Sequence, residues 1–389
     1  MKKLLALVIA LAMVFSCTLS CAETALSISS PVAAFEQGTL VKQGAITVVD
    51  LHGTWREMGR QYGQLLSAEL AEVTAFVEAI MNAKEGNAEK AQNIADLQEY
   101  QTPYTVRQFF VGMAETSGLT EKQLYLANAV ERIAGLPQCS AAAVWDDYTD
   151  GTLIFGRNYD YGESFFSLKN DVVVAVYHPA DGSLATATIG YAGEIYAVNG
   201  INEKGIFLEL NNGKPSANIK SPVARITGTT LLFDVLFEAD SLNFVDLFFD
   251  TALCSSSYII NVADSETAHS YEWCPIGVER GDAATPDGLL VSTNHYVSEN
   301  WEFATPTDEE SWMSLTRRKN LIDQCTQSKG AIDAARMMEI IGTSKEDGGS
   351  MNEFTVYQMV VIPETLTLWL RVTDATPWTE IDLGSFLRQ

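Results

Sequence analysis

The sequence has few of the residues that enzymes commonly use for metal and acid–base chemistry. It contains four histidines in 389 residues, and these stand apart from one another without the spacing of metal ligands: His52, His178, His269 and His295. It also lacks the G-x-S-x-G elbow, the Walker phosphate loop and a G-x-G-x-x-G segment after a strand. We therefore expect neither a metal nor a cofactor.

Positive charge is also scarce. Lys and Arg number 25 against 50 Asp and Glu, which gives a net charge of −25. A strongly negative net charge argues against nucleic acid or an anionic membrane as the main partner. The hydrophobic fraction of 47% is enough for a sizeable core.

Residues 1–22 have the pattern of a signal peptide. Lys2 and Lys3 precede an apolar run, and Ser20-Cys21-Ala22 supplies the small residues of a cleavage site. A second interpretation makes Cys21 a lipid anchor. Both predict an exported protein, secreted or held at the cell surface.

Cysteine is too rare for a disulfide scaffold. Beyond the leader the chain keeps four, at Cys139, Cys254, Cys274 and Cys325. Cys254 and Cys274 flank a predicted hairpin, so a bridge between them is one option, whereas Cys325 fits a buried helical position. An exported protein that keeps an unpaired Cys139 needs a reason to have it.

The first third of the chain is predicted to be helical between residues 50 and 136, after one strand at 45–49. Thr54 and Glu57 form a capping-box pattern, and an apolar face recurs from Trp55 onward at three- and four-residue steps. Gly59 and Gly63 lie one turn apart and would let another element approach closely. After Cys139 the pattern changes to antiparallel hairpins, with helices to cover them near 227–252 and 311–341. We expect an α+β fold.

A predicted hairpin surrounds Cys139. A small, apolar strand ends at Trp145, a turn at Asp150-Gly151 follows, and the return strand carries Arg157 and Asp160. A cysteine beside a guanidinium and a carboxylate can be an activated thiolate; the alternative is a buried cysteine next to an ordinary ion pair.

No convincing base for Cys139 is visible in the sequence. A Cys–His dyad with His178 or His295 stays open, although a structural role suits His295 better. The base could instead be the α-amino group of Cys139 itself, freed by cleavage of the 138–139 bond, because such an amine titrates near neutrality.

Several motifs occur together in the chain. The pattern C-(S/T)-x(3)-V, a DG turn and G-R-N-x-D begins at Cys139. The other segments are residues 57–63, residues 200–205 with Leu210-Asn211, Thr293-Asn294-His295, and Ser314-x-x-Arg317. These motifs, in this order, resemble the N-terminal-nucleophile hydrolases of the choloylglycine hydrolase and penicillin acyltransferase superfamily.

The resemblance implies roles for six residues. Cys139 would be the nucleophile, Arg157 would lower its pKa, and Asp160 would orient the freed α-amine. The backbone amide of Asn211 and the side chain of Asn294 would form the oxyanion hole. Arg317 would complete the polar network, with the adjacent Arg318 as its competitor.

The resemblance also implies a four-layer αββα core and a helical pro-segment, residues 23–138, that stays bound as a separate chain to residues 139–389. The expected activity is that of an exported, self-processing cysteine amidase that hydrolyses linear C–N amide bonds of N-acylated amines or amino acids and can also transfer the acyl group. Gln138 departs from the familiar context of the cleavage site. The competing hypothesis is a non-catalytic surface module that retains the scaffold for binding.

Overall fold

The computed structural model describes residues 29–134, 138–196, 198–219, 221, 225–281, 284–285 and 287–389. The predicted leader, with Cys21, lies outside these residues. Within the described part of the chain, no helix combines the length and apolar character needed to cross a bilayer.

Two large sheets organise the molecule. The first has the strand order β1-β2-β3-β6-β7-β8-β9-β10-β11-β12, with bounds β1 Ala33–Phe35, β2 Gly38–Gln43, β3 Ile46–Gly53, β6 Val172–Pro179, β7 Thr186–Tyr191, β8 Asn199–Asn202, β9 Phe207–Asn212, β10 Tyr258–Ala263, β11 Ala268–Cys274 and β12 Gly277–Arg280. The second has the order β13-β14-β4-β5-β15-β16-β17, with bounds β4 Ser140–Val144, β5 Ile154–Asp160, β13 Ala284–Thr285, β14 Leu289–Ser292, β15 Thr355–Ile362, β16 Thr367–Val372 and β17 Thr379–Asp382.

The helices fall into an early group and a late group. The early group is α1 Trp55–Leu65, α2 Ser67–Asn82, α3 Asn87–Gln101, α4 Tyr104–Thr116, α5 Glu121–Asn128 and α6 Val130–Ala134. The late group is α7 Gly228–Glu238, α8 Leu242–Phe249, α9 Ser314–Gln327, α10 Ala334–Gly342 and α11 Gly384–Leu387. The predicted capping box at Thr54 and Glu57 is formed, but the single long helix predicted to follow is interrupted at Leu66, whose φ of −114° and ψ of 24° are not helical.

The alternation of side chains along β4 shows how the sheets are layered. Ala141 and Ala143 belong to the core between the two sheets, while Ala142 and Val144 pack in a second core with Met337 of α10. The second sheet therefore lies between the first sheet and the α9–α10 layer.

The early helices cover the outer face of the first sheet. Trp55 of α1 contacts the rings of Phe109, Phe233 and Phe237. The close approach predicted for Gly59 is confirmed, since a Cβ there would lie 2.1 Å from the carbonyl oxygen of Phe109 on α4. With helices outside both stacked sheets, the predicted four-layer αββα core is confirmed.

The segment before Cys139 is less helical than predicted. It contributes β1, β2 and β3 to the first sheet, where only residues 45–49 were predicted as a strand. β3 pairs in parallel with β6, from Thr47 opposite Val173 to Gly53 opposite Pro179. The edge strand β1 and its neighbour β2 were not predicted because a tertiary partner, rather than a local pattern, defines them.

The optional Cys254–Cys274 bridge is not formed. Both thiols are free and buried, and the Sγ of Cys254 donates instead to the carbonyl oxygen of Ser256 at 2.8 Å. Cys325 is buried in α9, as predicted.

Candidate active site

The predicted hairpin brings Cys139 to Arg157. β4 and β5 pair with Ser140 opposite Asn158 and Ala141 opposite Arg157, and Cys139 lies just before β4. The Nη2 of Arg157 donates to the Cys139 Sγ at 3.2 Å. The connection turns at Gly151, whose φ of +108° favours glycine.

The thiol of Cys139 is neutral in the uncut chain. It is fully buried, and burial raises its pKa to about 11 although the charge of Arg157 acts to lower it. The positive charge of Arg157 is largely compensated by a fully buried ion pair with Glu209. Arg157 also donates to the carbonyl oxygen of Leu210 at 2.8 Å. Arg157 therefore acts on the thiol pKa in the predicted direction, but burial outweighs it.

Asp160 is held by three neighbours in the same buried site. Its carboxylate accepts from Thr355 Oγ1 at 2.6 Å and Asn352 Nδ2 at 2.9 Å, and Arg317 Nη1 lies 3.5 Å away. Burial raises the pKa of Asp160 to about 6, against the opposing effect of Arg317. The main-chain oxygen of Asp160 accepts from the Gln138 amide at 2.8 Å, which fixes the peptide just before Cys139.

Arg317 reaches across the Gln138–Cys139 peptide bond from the first turn of α9. Its Nη1 donates to the Gln138 carbonyl oxygen at 2.7 Å and to the Cys139 carbonyl oxygen at 3.1 Å. Its Nη2 donates to Asn294 Oδ1 at 2.7 Å. Arg318, the competing residue, instead donates from Nε to the Val291 carbonyl oxygen at 3.0 Å.

The two asparagines predicted for the oxyanion hole lie in different environments. Asn294 donates from Nδ2 to the carbonyl oxygen of Asn212 at 3.0 Å. Asn211 donates from its side chain to Glu209 and Ser292, both at 3.1 Å. Of the two neighbouring asparagines on β9, Asn212 rather than Asn211 thus contacts Asn294, and the sequence did not predict this pairing. The side chains of two adjacent residues in a strand point to opposite faces of the sheet. The register of β9 therefore decides which of the two asparagines lies next to Asn294, and the sequence does not give that register.

The histidines take no part in a pair with Cys139. His295 Nδ1 is 2.7 Å from Ser314 Oγ, and burial lowers the pKa of His295 to about 4, helped by the charges of Arg318 and Arg317. Among the residues that the structure describes, no histidine hydrogen-bonds the Cys139 thiol.

Two histidines that are isolated in sequence meet at the β3–β6 pair. The rings of His52 and His178 stack with centroids 4.3 Å apart, and their Nε2 atoms lie 3.2 and 2.9 Å from the Asp50 carboxylate. These are side-chain types that could bind a metal ion. The sequence reasoning missed this group because parallel pairing, rather than spacing, places His52 opposite His178.

The αββα core, with a buried cysteine after a hydrogen-bonded peptide bond, is the arrangement that the resemblance implied for an N-terminal-nucleophile amidase or acyltransferase. The chain belongs to the acyl-coenzyme A:6-aminopenicillanic acid acyl-transferase family, whose model matches residues 148–373, more than half of the chain. The match includes Arg157, Asp160, Asn294 and Arg317 and begins after Cys139. The superfamily and the enzyme class predicted from the sequence are confirmed.

Several solved structures resemble this chain at low identity. An N-acylethanolamine-hydrolyzing acid amidase ortholog from Caenorhabditis elegans shares 19% identity with a TM-score of 0.45, covering 64% of this chain and 97% of its own. A mutant conjugated bile acid hydrolase from Clostridium perfringens shares 14% at 0.43, covering 64% and 93%. Penicillin V acylase from Agrobacterium tumefaciens shares 8% at 0.38, covering 63% and 86%. No curated protein sequence matches this chain.

Proposed function

We propose that the chain cuts itself between Gln138 and Cys139 and then hydrolyses N-acylated amines or amino acids through an acyl-enzyme on Cys139. The observation that carries this proposal is the contact of Arg317 Nη1 with the Gln138 carbonyl oxygen at 2.7 Å. This oxygen gains negative charge when a thiol attacks its carbon, so a fixed cation at that distance stabilises the attack.

Self-cleavage begins with attack of the Cys139 sulfur on the Gln138 carbonyl carbon. The new C–S bond replaces the C–N bond of the peptide, and the thiol proton ends on the released amine. Water then hydrolyses the thioester, which leaves a carboxylate at Gln138 and a free thiol and α-amine at Cys139. The hydrogen bond from the Gln138 main-chain N–H to the main-chain oxygen of Asp160 supports this step by holding the residue that carries the attacked carbonyl.

The released α-amine supplies the base that the uncut chain lacks. An α-amine has a pKa near 7.7–8.0, so near neutrality its free-base form can take a proton from the adjacent thiol of Cys139. The buried carboxylate of Asp160 would hold the resulting ammonium. The acyl-enzyme then forms on Cys139 and is resolved by water or, where water is outcompeted, by another amine.

For the oxyanion of the substrate we propose the Asn294 side chain with the main-chain amide of Asn212 in place of Asn211. Leu210 N donates to Val198 O on one side of β9, whereas Gly213 N donates to Ser257 O on the other. Because main-chain amides alternate sides along a strand, the Asn211 N–H faces β10 and the Asn212 N–H faces the side of β8. The pairing of β8 with β9 ends at Asn199 opposite Glu209, so β8 does not extend as far as Asn212.

The segment before Cys139 is proposed to remain bound after cleavage. β3 keeps its ladder with β6. Further contacts join the two parts, since Asn128 Oδ1 accepts from the Ile195 amide at 2.7 Å and Tyr62 Oη accepts from the Gly193 amide at 2.9 Å. Export through the leader at residues 1–22 is part of the proposal and rests on the sequence pattern.

The test is amide hydrolysis by the purified protein across a panel of N-acyl amines and N-acyl amino acids. We expect a covalent acyl adduct on Cys139 by mass spectrometry and loss of both adduct and hydrolysis in Cys139→Ala. A protein that stays uncut and hydrolyses no member of the panel would be the binding module instead. Hydrolysis lost in His295→Ala but kept in Asp160→Asn would favour a Cys–His enzyme.

A further inference from the structure

A cavity of about 630 Å³ lies between the early helices and the first sheet. Its walls include α3 and α6 from the segment before Cys139 and β9 from the segment after it. This is the size range of cavities that hold a small-molecule ligand.

The cavity adjoins the nucleophile. Leu210 lines it, and the Leu210 carbonyl oxygen accepts from the same Nη2 of Arg157 that donates to Cys139 Sγ. Asn212 also lines it and is hydrogen-bonded to Asn294, which in turn accepts from Arg317. Hydrogen bonds therefore connect two residues of the cavity wall to the groups around Cys139.

Three cations line this cavity in a chain with a large excess of carboxylates. They are Lys90, Arg132 and Lys214, and among the described residues no carboxylate lies within ion-pair distance of any of them. Burial lowers the pKa of Arg132 and of Lys214, and the charges of Arg132 and Lys90 lower that of Lys214 further. Arg132 and Lys214 are partly buried, whereas Lys90 is exposed. Partly buried cations without a counter-charge are costly, so the arrangement favours an anionic ligand.

Two buried donors in the cavity wall lack hydrogen-bond partners within the described residues. One is Nη1 of Arg132 and the other is Nδ2 of Asn212, whose residue is 2% exposed. Buried donors are normally satisfied. A ligand carboxylate has the acceptor oxygens that these two nitrogens lack.

The one carboxyl group that lines the cavity does not neutralise these cations. Glu131 accepts a hydrogen bond from the Tyr159 hydroxyl, and burial raises the pKa of Glu131 to about 7. Glu131 is therefore not an ion-pair partner of Arg132. Ile94 and Leu97, on the same helix as Lys90, add an apolar surface to the cavity wall.

We propose that this cavity binds the substrate and that Arg132, Lys214 and the side-chain amide of Asn212 bind a carboxylate on it. The substrate is then an N-acyl amino acid rather than a neutral N-acyl amine. This inference rests on the amidase activity proposed above, and it adds the chemical class of the amine part.

The test uses two ligands that differ in one group, N-decanoylglycine and N-decanoylethanolamine. Binding to the uncut Cys139→Ala protein is measured by isothermal titration calorimetry. We expect the carboxylate ligand to bind at least ~10-fold more tightly, the scale of a charge-assisted hydrogen bond. Adding Arg132→Gln or Lys214→Met should weaken that ligand by about 10- to 100-fold and leave the neutral ligand unchanged.

Lys319→Met is the matched control, because it removes one positive charge from an exposed site on α9. It should change neither affinity. If Arg132→Gln fails to fold, Lys214→Met alone decides the test. Equal binding of the two ligands, or a preference that survives Lys214→Met, would overturn the inference.

Kinetics of the wild-type protein separate this inference from the proposed function. Hydrolysis of both ligands with equal kcat/KM would keep the amidase and overturn the carboxylate site. A binding preference with hydrolysis of neither ligand would support the site and contradict the amidase.

Discussion

Arg157 and Arg317 are both fully buried beside Cys139, but one contacts the sulfur and the other contacts main-chain carbonyl oxygens. Arg157 touches the sulfur and carries its own counter-charge in Glu209. Arg317 touches the carbonyl oxygens of Gln138 and Cys139, with its nearest carboxylate, Asp160, 3.5 Å away.

The difference shows which charge the uncut chain is built to stabilise. A paired Arg157 leaves the thiol neutral, with its pKa raised to about 11, whereas Arg317 contacts the oxygen that would become anionic in the proposed cleavage. The contacts therefore centre on the Gln138–Cys139 peptide bond, and in the proposed mechanism a reactive thiolate forms only after the α-amine is freed.

The largest expected effect follows from removing the cation on the carbonyl side. Arg317→Met should slow conversion of the full chain into two fragments by about 100- to 1,000-fold, the loss typical for one oxyanion donor. The rate is read from the appearance of fragments on a denaturing gel. Thermal unfolding must show that the variant is folded, and cleavage at the wild-type rate would remove Arg317 from the mechanism.

Removing Arg157, which contacts the Cys139 sulfur, should lower the stability of the folded chain. In the uncut Cys139→Ala background, Arg157→Met should lower the free energy of unfolding by about 3–5 kcal/mol, because it leaves Glu209 buried without its partner. Replacing both residues, as Arg157→Met with Glu209→Met, should recover part of that loss. A denaturant double-mutant cycle measures the coupling; additive losses would mean that the two residues do not act as a pair.

The carboxyl group of Asp160, next to Arg317, predicts that the free energy of unfolding depends on pH. The pKa of Asp160 is about 6 in the folded chain against 3.8 for its ordinary value, so the folded state keeps a proton that the unfolded state releases. Its contribution to stability is complete below pH 4 and is lost as the pH rises through 6. The loss is about 2–3 kcal/mol.

Urea unfolding of Cys139→Ala at pH 4 and pH 7 measures this loss, and adding Asp160→Asn should shrink the difference between the two pH values. Asp287→Asn is the control. The hydrogen bond from Lys329 lowers the pKa of the surface residue Asp287 to about 2, so Asp287 affects stability mainly below pH 4. An unchanged difference in the Asp160 variant would contradict the assignment.

The smallest effect is expected from the neighbouring arginine. Arg318→Met removes the same charge one residue along α9, but Arg318 contacts the Val291 carbonyl oxygen and not the scissile peptide. Cleavage should change less than about threefold, as for a charge outside the site. Equal slowing by Arg317→Met and Arg318→Met, measured side by side, would reduce the Arg317 contact to a general charge effect.

The sequence predicted the parts of this site that depend on local pattern. The hairpin that joins Cys139 to Arg157 follows from two apolar strands and a Gly at the turn, and the close approach at Gly59 follows from glycine spacing on a helix face. Both are present. The motifs also placed Asp160, Asn294 and Arg317 in one group, which the structure brings together.

Features set by distant pairing could not be read in this way. Glu209 cancels Arg157 only because β9 lies across the core from β5, and Asn212 rather than Asn211 meets Asn294 because of the register of β9. The two stacked histidines likewise depend on the parallel pairing of β3 with β6. None of these partners is close in sequence.

The central claim is that Cys139 is a chain terminus made by self-cleavage, and the most direct test is N-terminal sequencing of the purified protein with its intact mass. We predict two fragments in the wild-type protein, the larger one beginning Cys139-Ser140-Ala141, and one uncut chain in Cys139→Ala. A single wild-type chain with an intact Gln138–Cys139 bond and full amidase activity would contradict the account.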